Sequence, residues 1–210
     1  MVNISKLVRP NILNLQPYSS ARSEFRGKEG IFLDANENPF GGLNRYPDPF
    51  QTELKEKIAG VKKCDSSNVI IGNGSDEIID LVFRIFCDPG KDKAMIFSPS
   101  YGMYRVAADI NNTEVINIPL NDEFQIDPEK TKPYLDRPDL KLIFVCSPNN
   151  PTGNIMNEKS VTFLLENFKG IVVVDEAYVD FSEETSWLSR LENYNNLVVI
   201  QTFSKAWGLA

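Results

Sequence analysis

Short, continuous apolar runs recur along this chain with amphipathic segments around them, and that alternation constrains the fold more than any other feature. The runs are Val69–Ile71, Ala94–Phe97, Leu142–Val145, Ile171–Val174 and Leu197–Ile200, with Val115–Ile118 broken only at Asn117. Unbroken apolar character over about four residues is what a strand buried on both faces needs. The segments Pro49–Ala59, Ser75–Phe86, Tyr101–Asn111, Asp127–Leu135 and Glu158–Asn167 instead place apolar residues at three- and four-residue intervals, the period of a helix with one buried face. Ile78, Ile79, Val82, Phe83 and Phe86 show it most clearly. Buried strands joined by crossover helices form a mainly parallel sheet with helices on both faces, so the expected fold is a three-layer α/β architecture.

Residues 1–30 hold two prolines and no sustained period, and they read as an N-terminal arm. The remaining stretch, 31–210, is expected to form one large domain. A chain of 210 residues that is 42% hydrophobic can bury a core of that size. Neither an internal repeat nor a low-complexity tract interrupts it.

Composition removes several function classes. The 22 Lys and Arg stand against 29 Asp and Glu, a net charge of -7 with no basic stripe, which argues against nucleic acid as a partner. No apolar stretch approaches the ~20 residues that cross a bilayer, and the first ten residues lack the core of a signal peptide. No membrane association and a cytoplasmic location are therefore expected. Cys64, Cys87 and Cys146 are widely spaced, in neither a disulfide framework nor a zinc pattern. With no histidine in the chain, Ser-His-Asp and Cys-His nucleophiles and His-ligated metals are excluded. Acid–base chemistry falls to Lys, Asp, Glu, Tyr or a cofactor.

In parallel sheets ligands gather beyond the C-terminal ends of the strands, so the polar residues just after each run carry the most information. Gly72-Asn73-Gly74-Ser75-Asp76 leads into a helix, where free N–H groups and the helix dipole could seat a phosphate. The plain alternative is a tight turn with Ser75 as helix N-cap. Asp175 closes Ile171–Val174, where a carboxylate could meet a ligand or merely cap the next turn. Lys205 follows the last run; a lone lysine is ordinarily a solvated charge, whereas a desolvated one has a lowered pKa and acts as a nucleophile. Together, an amine, a carboxylate and a phosphate seat meet three needs of one cofactor, pyridoxal phosphate.

Asn149-Asn150-Pro151-Thr152-Gly153, Asp175-Glu176-Ala177-Tyr178 and Ser204-Lys205, in this order, resemble the fold type I pyridoxal-phosphate aminotransferases. Leu33–Gly41, Arg45-Tyr46-Pro47-Asp48, Gly72–Ile78, Tyr101-Gly102-Met103-Tyr104 and Thr202–Ala210 are further similar to the histidinol-phosphate aminotransferase family within them. The likeness runs from about Tyr18 to the last residue.

The resemblance implies roles residue by residue. Lys205 would carry pyridoxal 5'-phosphate as a Schiff base and move the substrate's α-proton. Asp175 would pair with the ring nitrogen, Tyr178 and Asn150 would bond the 3-hydroxyl, and Tyr101 would stack on the ring. Gly74, Ser75, Asp76, Thr202 and Ser204 would surround the phosphate, joined by Tyr46 from the other subunit of a homodimer. Tyr18 and Asn36 would face the substrate. The implied reaction is amino transfer between L-histidinol phosphate and 2-oxoglutarate or glutamate in histidine biosynthesis. An aromatic aminotransferase, a threonine-phosphate decarboxylase or a non-catalytic remnant of the fold are the competing readings.

The family pattern continues well beyond Ala210, through a phosphate-binding arginine, the rest of the large domain and a small C-terminal domain. The chain is accordingly expected to be part of a longer protein, with an incomplete sheet in which Leu197–Ile200 is a candidate unpaired strand.

Overall fold

A computed structural model describes residues 2–19, 24–25, 31 and 33–209. Two compact units are present, one formed by Met1–Leu13 with Gly72–Ala210 and the other by Asn14–Ile71.

The larger unit is built on a five-stranded, all-parallel sheet of order β2-β1-β3-β4-β5. Its strands are β1 (Lys93–Ser98), β2 (Glu114–Pro119), β3 (Leu140–Cys146), β4 (Ile171–Asp175) and β5 (Leu197–Ile200). Strands β3 and β4 are buried along almost their whole length, as their unbroken apolar runs require.

Helices α1 (Pro10–Leu13) and α2 (Thr52–Lys62) precede the first strand in the chain, and alternate strand residues feed two cores, one per face of the sheet. Ala94, Ile96, Leu142, Phe144, Ile171 and Val173 pack with Ile79, Val82, Phe83 and Phe86 of α3 (Gly74–Phe86) and with Tyr104, Ala107 and Ala108 of α4 (Met103–Ile110). Met95, Phe97, Ile143, Val145, Val172 and Val174 pack on the other side. Their partners there are Leu135 of α5 (Pro128–Leu135) and Val161, Leu164 and Leu165 of α6 (Glu158–Asn167). The expected three-layer architecture is thus realised, with the stripe seen at Ile79, Val82, Phe83 and Phe86 forming the buried face of α3.

Three expectations need correction. Val69 is extended, but Val69–Ile71 pairs with no strand among the described residues and Ile70 is 74% exposed. An apolar run without a neighbouring strand to take its N–H and C=O groups is not sheet. Leu197–Ile200 does pair, in parallel with β4 from Val172↔Leu197 to Asp175↔Ile200, and is one edge of the sheet rather than a free strand. The helix expected at Pro49 begins at Thr52, because Gln51 adopts a left-handed φ of 53° and the Asp48 carboxylate takes the N–H groups of Phe50 (2.8 Å) and Thr52 (2.9 Å).

The chain start is tied to the larger unit through Arg9. Its backbone N–H donates to the Ile85 carbonyl at 2.9 Å, its Nη1 to the Arg84 carbonyl at 2.9 Å and its Nε to Asp88 at 3.2 Å. In the smaller unit, Glu37 organises residues 36–46: its carboxylate accepts from Arg45 at 2.6 Å and from the Tyr46 N–H at 2.7 Å. Residues 20–23, 26–30 and 32 of the expected arm and domain start lie outside the described residues. No helix among those described is long and apolar enough to cross a membrane.

Candidate active site

The order β2-β1-β3 makes the chain run outward from β1 to β2 and then cross to β3, so the loops leaving β1 and β3 part at their C-terminal ends. Such a switch point leaves a crevice for a ligand. Buried Asn149 clasps the two loops: its Nδ2 donates to the Pro99 carbonyl (3.0 Å) and to Thr152 (2.6 Å), and its Oδ1 accepts from Ser100 (2.9 Å).

Beside this clasp lies a cavity of about 160 Å³, lined by residues from the ends of β3 and β4, the loops after β1 and β5, and the start of α3. Of the residues singled out in the sequence, Gly74, Ser75, Asp76, Tyr101, Asn150, Asp175, Tyr178, Ser204 and Lys205 all line it. Thr202 does not, but its hydroxyl lies 2.8 Å from that of Ser204. Tyr18, Asn36 and Tyr46 belong to the smaller unit, where all are exposed.

Each wall has a local cause. Gly74 sits at φ +76°, a conformation that side-chain-bearing residues resist, and turns the chain into the first turn of α3. There Ser75 lies within the helix rather than capping it, and the first N–H groups have no intrahelical acceptor. Tyr101 follows β1, and its hydroxyl donates to Asp76 at 3.1 Å. Burial first, and then Asp76, push its pKa up to about 12, so it stays protonated at neutral pH.

Asp175 ends β4 almost wholly buried. Its Oδ2 accepts from the Tyr104 hydroxyl at 2.7 Å and its Oδ1 from the Ala177 N–H at 3.0 Å. Burial holds its pKa above the usual 3.8, against the opposing pull of these two donors and of Lys205. Cys146 stands across the β3–β4 register from it; burial and the Asp175 charge push that thiol to about 11. A thiol so high is not a nucleophile at neutral pH.

Lys205 is exposed, not desolvated as its proposed chemistry led us to expect. The cause is its place on a turn after an edge strand, where protein packs on fewer sides. Its Nζ lies 5.7 Å from the centre of the Tyr178 ring. The turn is held by the Leu209 N–H to the Phe203 carbonyl (3.0 Å) and by Trp207, whose indole N–H donates to Asp180 at 2.9 Å.

Sequence reasoning missed the Trp207–Asp180 tie and the role of Tyr104. Tyr101 and Tyr104 are three residues apart at a helix start, and side chains so spaced lie on one face, but that spacing gives no sign of the acceptor on β4.

An all-parallel three-layer sheet with these groups around one strand-end cavity is the large-domain fold of the fold type I pyridoxal-phosphate enzymes. More particularly, the chain belongs to the aminotransferase class I and II family, whose model matches residues 26–210. Histidinol-phosphate aminotransferase of Christiangramia forsetii is 54% identical over 211 residues, covering 99% of this chain and 60% of that protein. The chain thus spans about three-fifths of the length of this relative.

Solved structures are similar as well, two of them histidinol-phosphate aminotransferases. Histidinol-phosphate aminotransferase from Clostridium acetobutylicum superposes with a TM-score of 0.69 at 27% identity, over 80% of this chain and 49% of that one. The enzyme from Sinorhizobium meliloti in complex with pyridoxal-5'-phosphate gives 0.69 at 24%, over 79% and 46%, a likeness of fold.

The donor set suits the cofactor of this family. A buried carboxylate of raised pKa favours a cation, a helix N-terminus with nearby hydroxyls favours a phosphate, and an amine on the same cavity can take an aldehyde.

Proposed function

We propose that the whole protein is a pyridoxal-phosphate-dependent aminotransferase acting between L-histidinol phosphate and 2-oxoglutarate or glutamate. The observation that carries this reading is the convergence of Lys205, Asp175 and the α3 N-terminus on one cavity, in a chain 54% identical to a histidinol-phosphate aminotransferase.

Pyridoxal phosphate, when bound, supplies a carbonyl for the amino group and a ring that takes up electrons from the substrate's α-carbon. The Lys205 amine would anchor it and would move the proton between the substrate's α-carbon and the cofactor carbon that takes the amino group. The Asp175 carboxylate pairs with the ring N–H and keeps that nitrogen charged. Tyr178 and Asn150 bond the ring oxygen, while Tyr101 packs on the ring face. First-turn N–H groups of α3, with the Ser204 and Thr202 hydroxyls, hold the phosphate. In a cytoplasmic homodimer the partner subunit's Tyr46 completes that shell, and Tyr18 and Asn36 face the substrate.

Turnover of the full-length protein with histidinol phosphate, phenylalanine and threonine phosphate, each with 2-oxoglutarate, tests the substrate. The highest kcat/KM is expected for histidinol phosphate. A preference for phenylalanine, or release of carbon dioxide from threonine phosphate, would overturn the assignment.

A further inference from the structure

We infer that Tyr104 is a positioning residue of the cofactor site: its hydroxyl fixes the Asp175 carboxylate while its ring backs Tyr101, so one side chain couples the ring-nitrogen partner to the ring-stacking aromatic. The inference rests on the proposed roles of Asp175 and Tyr101 toward pyridoxal phosphate.

Tyr104 is 1% exposed on α4. Its ring stacks on Phe144 of β3 at 4.9 Å and 21°, and Phe144 stacks in turn on Phe83 of α3 at 5.2 Å. It meets Tyr101 edge-on at 5.6 Å and 86°. Two helices and the sheet thus hold this ring, which leaves its hydroxyl little freedom.

Packing alone does not require that hydroxyl. Its neighbours on this side of the sheet, Ala107, Ala108, Phe83 and Phe144, are apolar, and a buried phenol is costly unless it is hydrogen-bonded. It donates to Asp175 Oδ2 at 2.7 Å, and the Cys146 thiol also lies within hydrogen-bonding reach of it. The Ala177 N–H fixes only Oδ1, and a single donor leaves the carboxylate free to rotate about its last bond. A second donor on the other oxygen sets the carboxylate plane and still leaves lone pairs for a ring N–H.

The charges around Asp175 also need this donor. Asp76 opposes the carboxylate's ionisation and Lys205 supports it; Cys146 and Tyr101 stay neutral. Burial opposes ionisation most strongly, and the Tyr104 hydroxyl is the first of the forces against it.

In the full-length protein, Tyr104→Phe keeps the ring and removes only the hydroxyl. We expect pyridoxal phosphate to bind about tenfold more weakly, as for loss of a bond to a charged group. The carboxyl titration of Asp175, followed by 13C NMR on the cofactor-free protein, should move to higher pH. In an Asp175→Asn background, Tyr104→Phe should cost clearly less cofactor affinity than it does alone, a comparison that stands even if the single variant folds poorly.

Equal affinity and an unmoved Asp175 titration in Tyr104→Phe would overturn the inference, as would equal costs in both backgrounds. A wild-type protein that binds no pyridoxal phosphate would instead sink the reading of the site, and this inference with it.

Discussion

The hydroxyl of Tyr101 donates to Asp76 across 3.1 Å, which joins the loop after β1 to the first turn of α3 and braces the aromatic wall of the cavity against its anion-binding end. Burial and the Asp76 charge push the tyrosine's pKa up to about 12. A difference titration of tyrosinate absorption, wild type minus Tyr101→Phe, should therefore show no step near the ordinary value of about 10. A step there would mean that the bond to Asp76 is not made.

Asp175 should leave a pH signature in the cofactor-free protein. Its folded pKa lies above the usual 3.8, so between those two values the unfolded chain has released a proton that the folded chain keeps. Stability then falls as pH rises through that window. Asp175→Asn removes the titrating group, so the thermal midpoint of the variant should gain on that of wild type from roughly pH 4 upward. A difference that does not change with pH would contradict the raised pKa.

Asn149 should matter to the scaffold more than to the chemistry. It is 2% exposed and clasps Pro99, Ser100 and Thr152. Asn149→Ala strands the Pro99 carbonyl and the Ser100 hydroxyl and should cost about 2 kcal/mol in denaturant unfolding. Loss of less than about 0.5 kcal/mol would show that water replaces the clasp.

The fold was legible where burial is two-sided. Leu142–Val145 and Ile171–Val174 carry no polar residue and became the centre of the sheet, and Ile79, Val82, Phe83 and Phe86 announced their helix face. Val69–Ile71 misled because an apolar run specifies burial but not a pairing partner, and Pro49 misled because a helix start depends on local turns and bonds, here the left-handed Gln51 and the Asp48 carboxylate on the Thr52 N–H, that periodicity does not register. Around the cavity, strand-end polar residues were readable because parallel strands deliver their ends to one side of the sheet. Tyr104 was not: nothing in its neighbours along the chain reveals a buried acceptor that arrives from β4, 71 residues away.

Lys205, the residue proposed to hold the cofactor, is exposed on the cavity rim near Tyr178. Borohydride reduction of the full-length protein loaded with pyridoxal phosphate, followed by peptide mass spectrometry, tests it most directly. One stable pyridoxyl adduct is expected, on the peptide containing Lys205, and its loss in Lys205→Ala. An adduct on another lysine, or one that survives Lys205→Ala, would contradict it.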